Sequence, residues 1–436
     1  MKILLVTSRY PWPPRRGDQM RAVQQLDFLT AEHEVTLLTP EPGPGQPPPS
    51  PDAPYRVETY RQRGHAAALS GMGRAVLKNL PLQSGLFYQP DLGRKLRALA
   101  PAHDLGILQL VRLAIHLGDF GETPLLVDLI DSLSLNFSLR ADVDRRWLRP
   151  VLRLEAHLLA LWERRLVERA AGVLVVCERD RQALENRLPP ELARKVTVVR
   201  LAMRERTPEH APAEPPVRVA AAAEGRPVLM ITGNLGYFVN VDAVTWWLAE
   251  VWPEIRKRRP DVRVVVAGDR PQAVVRRAVA EAGEAVELIA SPPDLRSLLQ
   301  QATLALAPMR CGSGVPIKVL EAWSVGVPVV ASPWAVAGTT GRQGEDFWLV
   351  GHPIEWVRAI LDLLGEPAER ERLGQNGRRR LAADYSRPVV RGQLLASLRA
   401  LALPASPAEK GAETPTCAAS PVFSTSAPGG PSPRKS

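Results

Sequence analysis

Short apolar runs alternate with helical patterns along the first half of the chain. Residues 2–7 form a continuous apolar run, which is typical of a strand covered on both faces. A helical period follows through Val23, Leu26 and Leu29, and residues 35–38 form the next run, so the order is that of a βαβ unit. Later strands of this half are predicted at 105–110, 124–129, 173–176 and 196–199. The first half is therefore predicted to be a doubly wound α/β domain.

The same alternation restarts after residue 227. Residues 228–232 predict a buried strand, and a helical pattern and a strand over 262–267 follow it. Further strands are predicted at 286–289, 304–307 and 328–331, and helices at 294–301 and 317–325. A second, smaller parallel α/β domain is therefore expected.

Composition changes at two places and suggests the domain limits. Residues 204–226 hold four prolines among polar residues and alanines, which is typical of a linker between domains. Residues 404–436 hold seven prolines and no apolar period, so this tail is predicted to be disordered. We predict an N-terminal domain over 1–203, a linker over 204–226, a C-terminal domain over 227–387, a helix over 388–403 and the tail.

Overall composition excludes several classes of protein. The chain has 436 residues, of which 45% are hydrophobic and 23% charged, and this is enough for two cores. Its three cysteines, Cys177, Cys311 and Cys417, have neither metal-ligand spacing nor the number for a disulfide framework, so no metal site is expected. No apolar run reaches about 18 residues, and the N-terminus lacks a signal-peptide core, so the expected location is the cytoplasm.

The net charge of +10 favours anionic partners such as nucleotides, phosphoanhydrides or an anionic lipid surface. Nucleic acid is not expected as a partner, because no nucleic-acid-binding motif occurs. Residues 145–169 form a basic amphipathic segment whose apolar stripe has arginines on both sides. Such a segment can lie at the inner face of an anionic membrane, although packing on its own domain is the ordinary outcome. The apolar residues of the stripe are Trp147, Val151, Leu154, Leu158, Leu161 and Trp162.

Candidate functional residues are densest between 308 and 328. Gly312 and Gly314 mark a turn between a strand and a helix, where backbone N–H groups can approach a ligand closely. The N-terminus of the following helix adds partial positive charge at the same place. This arrangement is typical of a phosphate site, and it is also common in doubly wound domains of other functions.

Three charged residues accompany this turn. Arg310 lies on the turn and Lys318 in the first helical turn, so both could meet a diphosphate. Glu321 shares a helix face with Lys318 and could accept hydrogen bonds from a ribose diol. An exposed lysine–glutamate pair without function explains this spacing equally well.

The run Pro-x-Arg-x-Gly-x-Gly-x3-Lys-x2-Glu-Ala-x3-Gly-x-Pro-Val-Val over 308–330 resembles the donor-site signature of family-4 glycosyltransferases, also called group 1. Three other stretches, 8–17, 125–131 and 232–243, are similar to the family in order and place. Together they most resemble bacterial exopolysaccharide-type sugar transferases. The resemblance spans residues 1 to about 400, and it implies the α/β GT-B fold, in which two Rossmann-like domains face a cleft.

The resemblance also implies an activity. It is a retaining transfer from a nucleotide-diphosphate sugar to a glycan or lipid-linked acceptor, without a metal or other cofactor, in cell-surface polysaccharide synthesis. Glu321 would bind the ribose, and Arg310 and Lys318 would compensate charge on the leaving diphosphate. The acceptor would lie on the N-terminal domain, onto which the helix over 388–403 would cross back.

Two departures from the family pattern concern the donor. Ser313 stands where many members carry the first glutamate of a Glu-x7-Glu pair. Asn234 and Asn240 stand where many members carry an arginine and a lysine. The contact with phosphate would then depend more strongly on Arg310 and Lys318.

Other candidates are placed by the resemblance or by the carboxyl ends of predicted strands, where ligands bind in open α/β sheets. Arg16, Arg112 and His116 are candidates for the acceptor, and Asp131 for a catalytic group, although a lone histidine is more often structural. Glu178 and Asp180 are interpreted as a helix-capping pair. The donor candidates beside Glu321 are Gly17, Gly233, Asn234, Gly312, Ser313 and Gly314.

Two other functions share this fold: a sugar-nucleotide epimerase and a non-catalytic partner in polysaccharide assembly. An epimerase needs ionisable groups at the donor sugar, and Ser313 supplies none. A partner protein would have no need of Arg310, Lys318 and Glu321 together.

Overall fold

The computed structural model describes residues 1–62, 71–73, 75, 80–203 and 217–401. Most of the predicted linker and the tail over 404–436 lie outside the described residues. The two predicted α/β domains are present within one compact unit, Met1–Ala402.

The first sheet has seven strands in the order β3-β2-β1-β4-β5-β6-β7, and all neighbouring strands are parallel. Strand β1 is apolar from Ile3 to Val6 because helices cover both faces of the sheet; Ile3, Leu4 and Leu5 are fully buried. The strands are β1 (Lys2–Val6), β2 (Glu34–Pro40), β3 (Arg56–Tyr60), β4 (Leu105–Gln109), β5 (Leu125–Ile130), β6 (Gly172–Val175) and β7 (Val196–Val198).

The helices of the first domain connect these strands. Three of them are short 3-10 segments, Ala100–Ala102, Val111–Phe120 and Arg146–Leu148. The α-helices are α1 (Gly17–Leu29), α2 (Leu82–Leu86), α3 (Pro90–Leu99), α4 (Leu133–Val143), α5 (Arg149–Arg169), α6 (Glu178–Glu185) and α7 (Pro190–Ala193).

The second sheet has six parallel strands in the order β10-β9-β8-β11-β12-β13. Its strands are β8 (Val228–Thr232), β9 (Arg263–Gly268), β10 (Val286–Ala290), β11 (Leu304–Ala307), β12 (Val329–Ala331) and β13 (Trp348–Leu349). Its helices are α8 (Ala220–Ala223), α9 (Phe238–Glu250), α10 (Trp252–Arg258), α11 (Ala273–Ala282), α12 (Leu295–Leu299), α13 (Ile317–Val325), α14 (Pro333–Val336), α15 (Pro353–Gly365) and α16 (Pro367–Tyr385).

The strand order reverses once in each sheet, between β1 and β4 and between β8 and β11. In open α/β sheets, ligands bind outside the carboxyl ends of strands at such switch points. The loop 308–316 leaves β11 at the switch point of the second sheet and leads into α13. The densest group of sequence candidates therefore lies where this fold places ligands.

The last described helix, α17 (Arg387–Arg399), lies against the first domain. Arg387 forms an ion pair with Asp27 at 3.0 Å, and Arg391 forms one with Glu32 at 2.7 Å. Gln393 also accepts a hydrogen bond from the backbone of Arg200 at 3.0 Å. The chain thus returns from the second domain to the first, which is the placement that the family resemblance implies.

Candidate functional site

The loop 308–316 is shaped by two glycines that adopt backbone angles disfavoured for other residues. Gly312 has φ 134° and Gly314 has φ 69°. Gly338 packs directly on this loop, because a Cβ atom there would overlap the carbonyl oxygen of Gly314. The turn before α13 is therefore held in one position by a backbone-to-backbone contact.

Two asparagines hold Lys318 at the N-terminus of α13. Lys318 Nζ donates to Asn240 Oδ1 at 2.8 Å, and Asn240 Nδ2 donates to the carbonyl of Asn234 at 3.0 Å. Gly233 permits this, since a Cβ atom there would lie 2.9 Å from Asn240 Nδ2. Burial lowers the pKa of Lys318 to about 8, and Glu321 opposes that shift. The amides at 234 and 240 thus position the lysine and add no charge of their own.

Glu321 lies one turn beyond Lys318 on α13. Burial raises its pKa, whereas the charges of Arg296 and Lys318 lower it. Its carboxylate has no hydrogen-bond partner in the part of the chain that the structure describes. A half-buried carboxylate without a partner, beside a helix N-terminus, is suited to accept hydrogen bonds from two hydroxyl groups of a ligand.

Arg310 has contacts within the second domain that its sequence neighbourhood does not reveal. Its Nε donates to Asp242 Oδ2 at 2.9 Å, its Nη2 donates to Asp242 Oδ1, and its guanidinium lies 5.7 Å from the ring of Trp246. A paired, bidentate arginine has its charge already compensated. The geometry thus shows that Arg310 holds the loop 308–316 against α9; its contact with a diphosphate stays a prediction.

A separate group of arginines lies between the domains. Burial first, and then Arg9 and Arg270, lower the pKa of Arg16. Burial and Arg9 likewise lower the pKa of Arg112. Arg9 is paired with Asp18, but the cluster as a whole carries excess positive charge that favours an anion. Arg16 and Arg112 were sequence candidates; Arg9 and Arg270 were missed, although Arg270 follows strand β9 at its carboxyl end.

Side chains of the first domain bind three successive residues of the loop. Arg179 donates to the carbonyl of Gly312 at 3.3 Å, and Ser313 Oγ donates to Asp131 Oδ2 at 2.8 Å. The backbone N–H of Gly314 donates to Asp180 Oδ2 at 3.0 Å. The loop thus joins the domains, and Asp180 acts across them rather than as a helix cap.

Asp180 and Asp131, the two carboxylates of this contact, both have a raised pKa. Asp180 is fully buried, and among the described residues its Oδ1 has no hydrogen-bond partner. Burial and the nearby charge of Asp131 raise the pKa of Asp180 to about 7. Burial raises the pKa of Asp131 too, and the hydroxyl of Ser313 opposes this. Asp131 therefore lies against the loop 308–316.

Asn136 of α4 completes the contact, and nothing in the sequence singled it out. Its Nδ2 donates to Ser313 Oγ at 2.9 Å and to the hydroxyl of Tyr237 at 3.2 Å. Gly17, the first residue of α1, lies against α13, because a Cβ atom there would be 3.2 Å from Ile317 Cδ1. Both observations place the start of α1 and of α4 at the cleft.

His116 takes no part in this arrangement. It is fully buried, its Nδ1 bonds Asp119 at 2.8 Å, and its Nε2 accepts a hydrogen bond from the backbone of Gln89 at 3.2 Å. With both nitrogens engaged, His116 serves packing of the first domain and has no atom left for an acceptor. Arg112 donates to Gln83 at 3.0 Å, which leaves further donors of its guanidinium for a ligand.

Neither a metal-ion centre nor a cysteine nucleophile is formed by the described residues. Across the described ranges, no group of three histidine, cysteine, aspartate or glutamate residues is arranged to hold a metal ion. Cys177 and Cys311 are free and buried, and burial raises the pKa of both thiols, that of Cys311 to about 12. Neither thiol is therefore a thiolate nucleophile at neutral pH.

The contact at Gly338 gives a first test of the site. Gly338→Ala is expected to displace the carbonyl of Gly314 and lower turnover about 10- to 100-fold, because small misplacements of a positioned group are costly. The midpoint temperature of thermal unfolding should change little by comparison. Gly392→Ala, in α17, is the matched control, since a Cβ atom there meets no other atom within 4 Å. Equal turnover in the two variants would show that the loop position is unimportant.

The comparisons with known proteins agree with this geometry. Residues 226–366 match the family of group 1 glycosyl transferases. The matched segment contains the loop 308–316, Lys318 and Glu321. This segment is therefore similar to group 1 glycosyl transferases, which confirms the resemblance found in the sequence.

Two relatives match only part of the chain. An uncharacterized 44.6 kDa protein in the cps region of Klebsiella pneumoniae is 26% identical over 140 residues, which is 31% of this chain and 36% of that protein. A GDP-mannose-dependent monoacylated alpha-(1-6)-phosphatidylinositol monomannoside mannosyltransferase of Corynebacterium glutamicum is 25% identical over 153 residues, 33% of this chain and 40% of that one. The chain thus matches less than half the length of either relative.

Solved structures match nearly the whole chain. HepE of Anabaena in complex with UDP-glucose has a TM-score of 0.62 and 13% identity, and the match covers 92% of this chain and 100% of that one. Sucrose-phosphate synthase of Thermosynechococcus elongatus has a TM-score of 0.65 and 18% identity, with 92% and 99% covered. At such identities the likeness concerns the fold, and it confirms the GT-B fold class.

Proposed function

We propose that the chain is a retaining, metal-independent glycosyltransferase that moves a sugar from a nucleotide-diphosphate sugar to a glycan or lipid-linked acceptor. One observation carries the proposal: Lys318 and the unpartnered carboxylate of Glu321 lie at the N-terminus of α13, behind the glycine loop. The complex of HepE with UDP-glucose supports a nucleotide sugar as the donor class.

In this proposal the diphosphate lies between α13 and the start of α1. Lys318 and the partial positive charge of the α13 N-terminus stabilise the negative charge that grows on the leaving phosphate. Arg16 and Arg270 add charge from the two sides of the cleft, in place of the compensated Arg310. Glu321 accepts hydrogen bonds from the ribose hydroxyls, and Asp131 faces the sugar end of the site through Ser313.

The acceptor is proposed to bind the first domain, near Arg16 and Arg112. A role in cell-surface polysaccharide synthesis is supported by the relative encoded in a cps region and by the relative that is a lipid mannosyltransferase. The cytoplasm, as the place of the reaction, stays a prediction from the sequence.

A panel of UDP- and GDP-linked sugars tests the proposal directly. We expect slow release of free sugar from one donor, with the α anomer formed first from an α donor, and unchanged rates in EDTA. Formation of an epimeric nucleotide sugar would instead establish an epimerase. Thermal stabilisation by UDP or GDP without turnover of any donor would establish a non-catalytic partner.

The role of Glu321 has its own test. Glu321→Gln is expected to weaken binding of the nucleoside diphosphate about 10- to 100-fold, because hydrogen bonds to a charged acceptor contribute roughly 1.5–3 kcal/mol. Calorimetry with UDP and GDP measures this. Glu345→Gln is the control, since Glu345 is exposed and its side chain pairs with Arg342. Unchanged affinity in Glu321→Gln would place the ribose elsewhere.

A further inference from the structure

Helix α5 presents an apolar stripe to solvent. Trp147, in the turn before the helix, is 68% exposed, and along the helix Val151 is 52%, Leu154 59% and Leu161 45% exposed. Their spacings of four, three and seven residues place them on one face, and the three helical residues span about 15 Å of helix axis. No other stretch of fifteen described residues holds more than one exposed large apolar side chain.

The helix has a separate face that packs on the domain. Leu152, Leu159 and Leu166 are buried there, so the exposed stripe is not needed for the core. The two acidic residues between positions 145 and 165 also point inward. Glu155 accepts hydrogen bonds from the backbone of Leu82 and Gln83 at 3.0 and 3.2 Å, and Glu163 accepts one from the hydroxyl of Ser134 at 2.5 Å.

Charge is therefore segregated around the stripe. Between residues 145 and 165, all of which the structure describes, the acidic side chains are buried, and the charged groups at the surface are arginines. The arginines are Arg145, Arg146, Arg149, Arg153, Arg164 and Arg165. Glu168 and Asp142, which pair with Arg164 and Arg153, lie at the two ends of the segment.

We propose that the exposed face of residues 145–165 docks on an anionic lipid bilayer. Apolar side chains at the centre would enter the boundary between headgroups and acyl chains, and the arginines beside them would meet lipid phosphates. A helix of this kind lies in the plane of the bilayer. In accord with that placement, none of the helices in the described ranges is long and apolar enough to span a membrane.

Charge complementarity favours a bilayer over a second copy of this chain. A two-fold contact would bring the arginines of one copy against those of the other, with no exposed acid among residues 145–165 to compensate them. The inference is independent of the proposed transferase function. The two are linked in space, because α5 packs on α4, which carries Asn136 to the cleft.

Vesicle binding of the full chain tests the proposal. We expect co-sedimentation with phosphatidylcholine vesicles that contain about 30% phosphatidylglycerol, and little with phosphatidylcholine alone. The double variant Trp147→Ser/Leu154→Ser should bind the anionic vesicles about tenfold or more weakly. The double variant Arg146→Glu/Arg153→Glu should also lose binding to the anionic vesicles. Raising the salt concentration from about 0.1 M to about 0.5 M should weaken vesicle binding by the unaltered protein.

Ile354→Ser is the matched control, because Ile354 is 68% exposed on the second domain and should not alter binding. Circular dichroism and nucleotide affinity of each variant separate loss of docking from loss of fold. Equal binding to neutral and anionic vesicles would overturn the proposal. So would a dimer, seen by light scattering, that Trp147→Ser/Leu154→Ser converts to a monomer.

Discussion

Lys318→Ala is expected to lower turnover about 30- to 900-fold, which corresponds to a barrier about 2–4 kcal/mol higher. The reason is differential stabilisation: charge on the leaving diphosphate grows in the transition state, so the ammonium contributes more there than in the bound substrate. Affinity for the nucleoside diphosphate should fall by a smaller factor. The measurements are steady-state turnover with the best donor and calorimetry with the matching diphosphate.

The dependence of kcat/KM on pH gives a second test of Lys318. Burial lowers the pKa of Lys318 to about 8, so the free protein carries the ammonium below pH 8 and loses it above. If the charged form is required, kcat/KM should be constant on the acid side of pH 8 and fall on the alkaline side. Lys318→Arg should shift that fall to higher pH in whatever activity it retains, since a guanidinium stays charged.

The control for Lys318 is Lys257→Ala. Lys257 is exposed on α10 and pairs with Glu254 at 2.7 Å, so its removal takes away a charge without touching the cleft. If Lys318→Ala and Lys257→Ala have equal turnover, the donor diphosphate does not lie at α13. An equal loss of turnover and of diphosphate affinity in Lys318→Ala would mean that the lysine acts in ground-state binding alone.

The fold was largely predictable because its signals are local. A strand covered on both faces must be apolar throughout, and runs such as 228–232 and 262–267 therefore stand out in the sequence. The loop 308–316 was predictable for a similar reason. Gly312 and Gly314 have positive φ angles that their neighbours in sequence cannot adopt cheaply, and Lys318 and Glu321 are fixed by the period of one helix.

Interdomain contacts were not predictable, because no local pattern encodes them. Asp180 contacts Gly314, which is 134 positions away in the sequence, and Asn136 contacts Ser313, which is 177 positions away. The same limit applies to the ion pair of Arg310. Its partner Asp242 lies 68 positions away on α9, and nothing near Arg310 in the sequence reveals that its charge is compensated.

Helix α5 illustrates a different limit. Its sequence carries two apolar stripes, one through Leu152, Leu159 and Leu166 and one through Val151, Leu154 and Leu161. Periodicity shows that both exist and does not say which one faces the core. Tertiary contacts determine which stripe is buried. Glu155 caps α2 and Glu163 binds Ser134, and these contacts orient the helix so that the first stripe faces the core.

The buried ion pair between Arg21 and Asp128 leads to the largest expected loss of stability. Arg21 Nε lies 2.7 Å from Asp128 Oδ2, and the two side chains are 2% and 0% exposed. Gln25 Nε2 donates to the same oxygen at 2.6 Å, and Arg21 Nη1 donates to the carbonyl of Arg200 at 2.6 Å. Removing one partner of such a pair leaves an uncompensated charge in the core.

Arg21→Met is therefore expected to lower the free energy of unfolding by about 3–5 kcal/mol, measured by urea denaturation followed by circular dichroism. Arg391→Ala is the control, because its pair with Glu32 is exposed and should contribute about 0–1 kcal/mol. Adding Asp128→Asn to Arg21→Met should restore much of the loss, since the stranded charge is then gone. If the double variant is no more stable than Arg21→Met, the lost free energy of unfolding comes from packing and not from charge.

The same pair connects stability to the cleft. Arg21 lies on α1, whose first residue is Gly17, and Asp128 lies on β5, three residues before Asp131. Because the ion pair joins these two elements, loosening it should move Gly17 relative to Ile317 and Asp131 relative to Ser313. At a temperature where Arg21→Met is still folded, its turnover should thus fall below that of the unaltered protein. Arg391→Ala should keep full turnover under the same conditions.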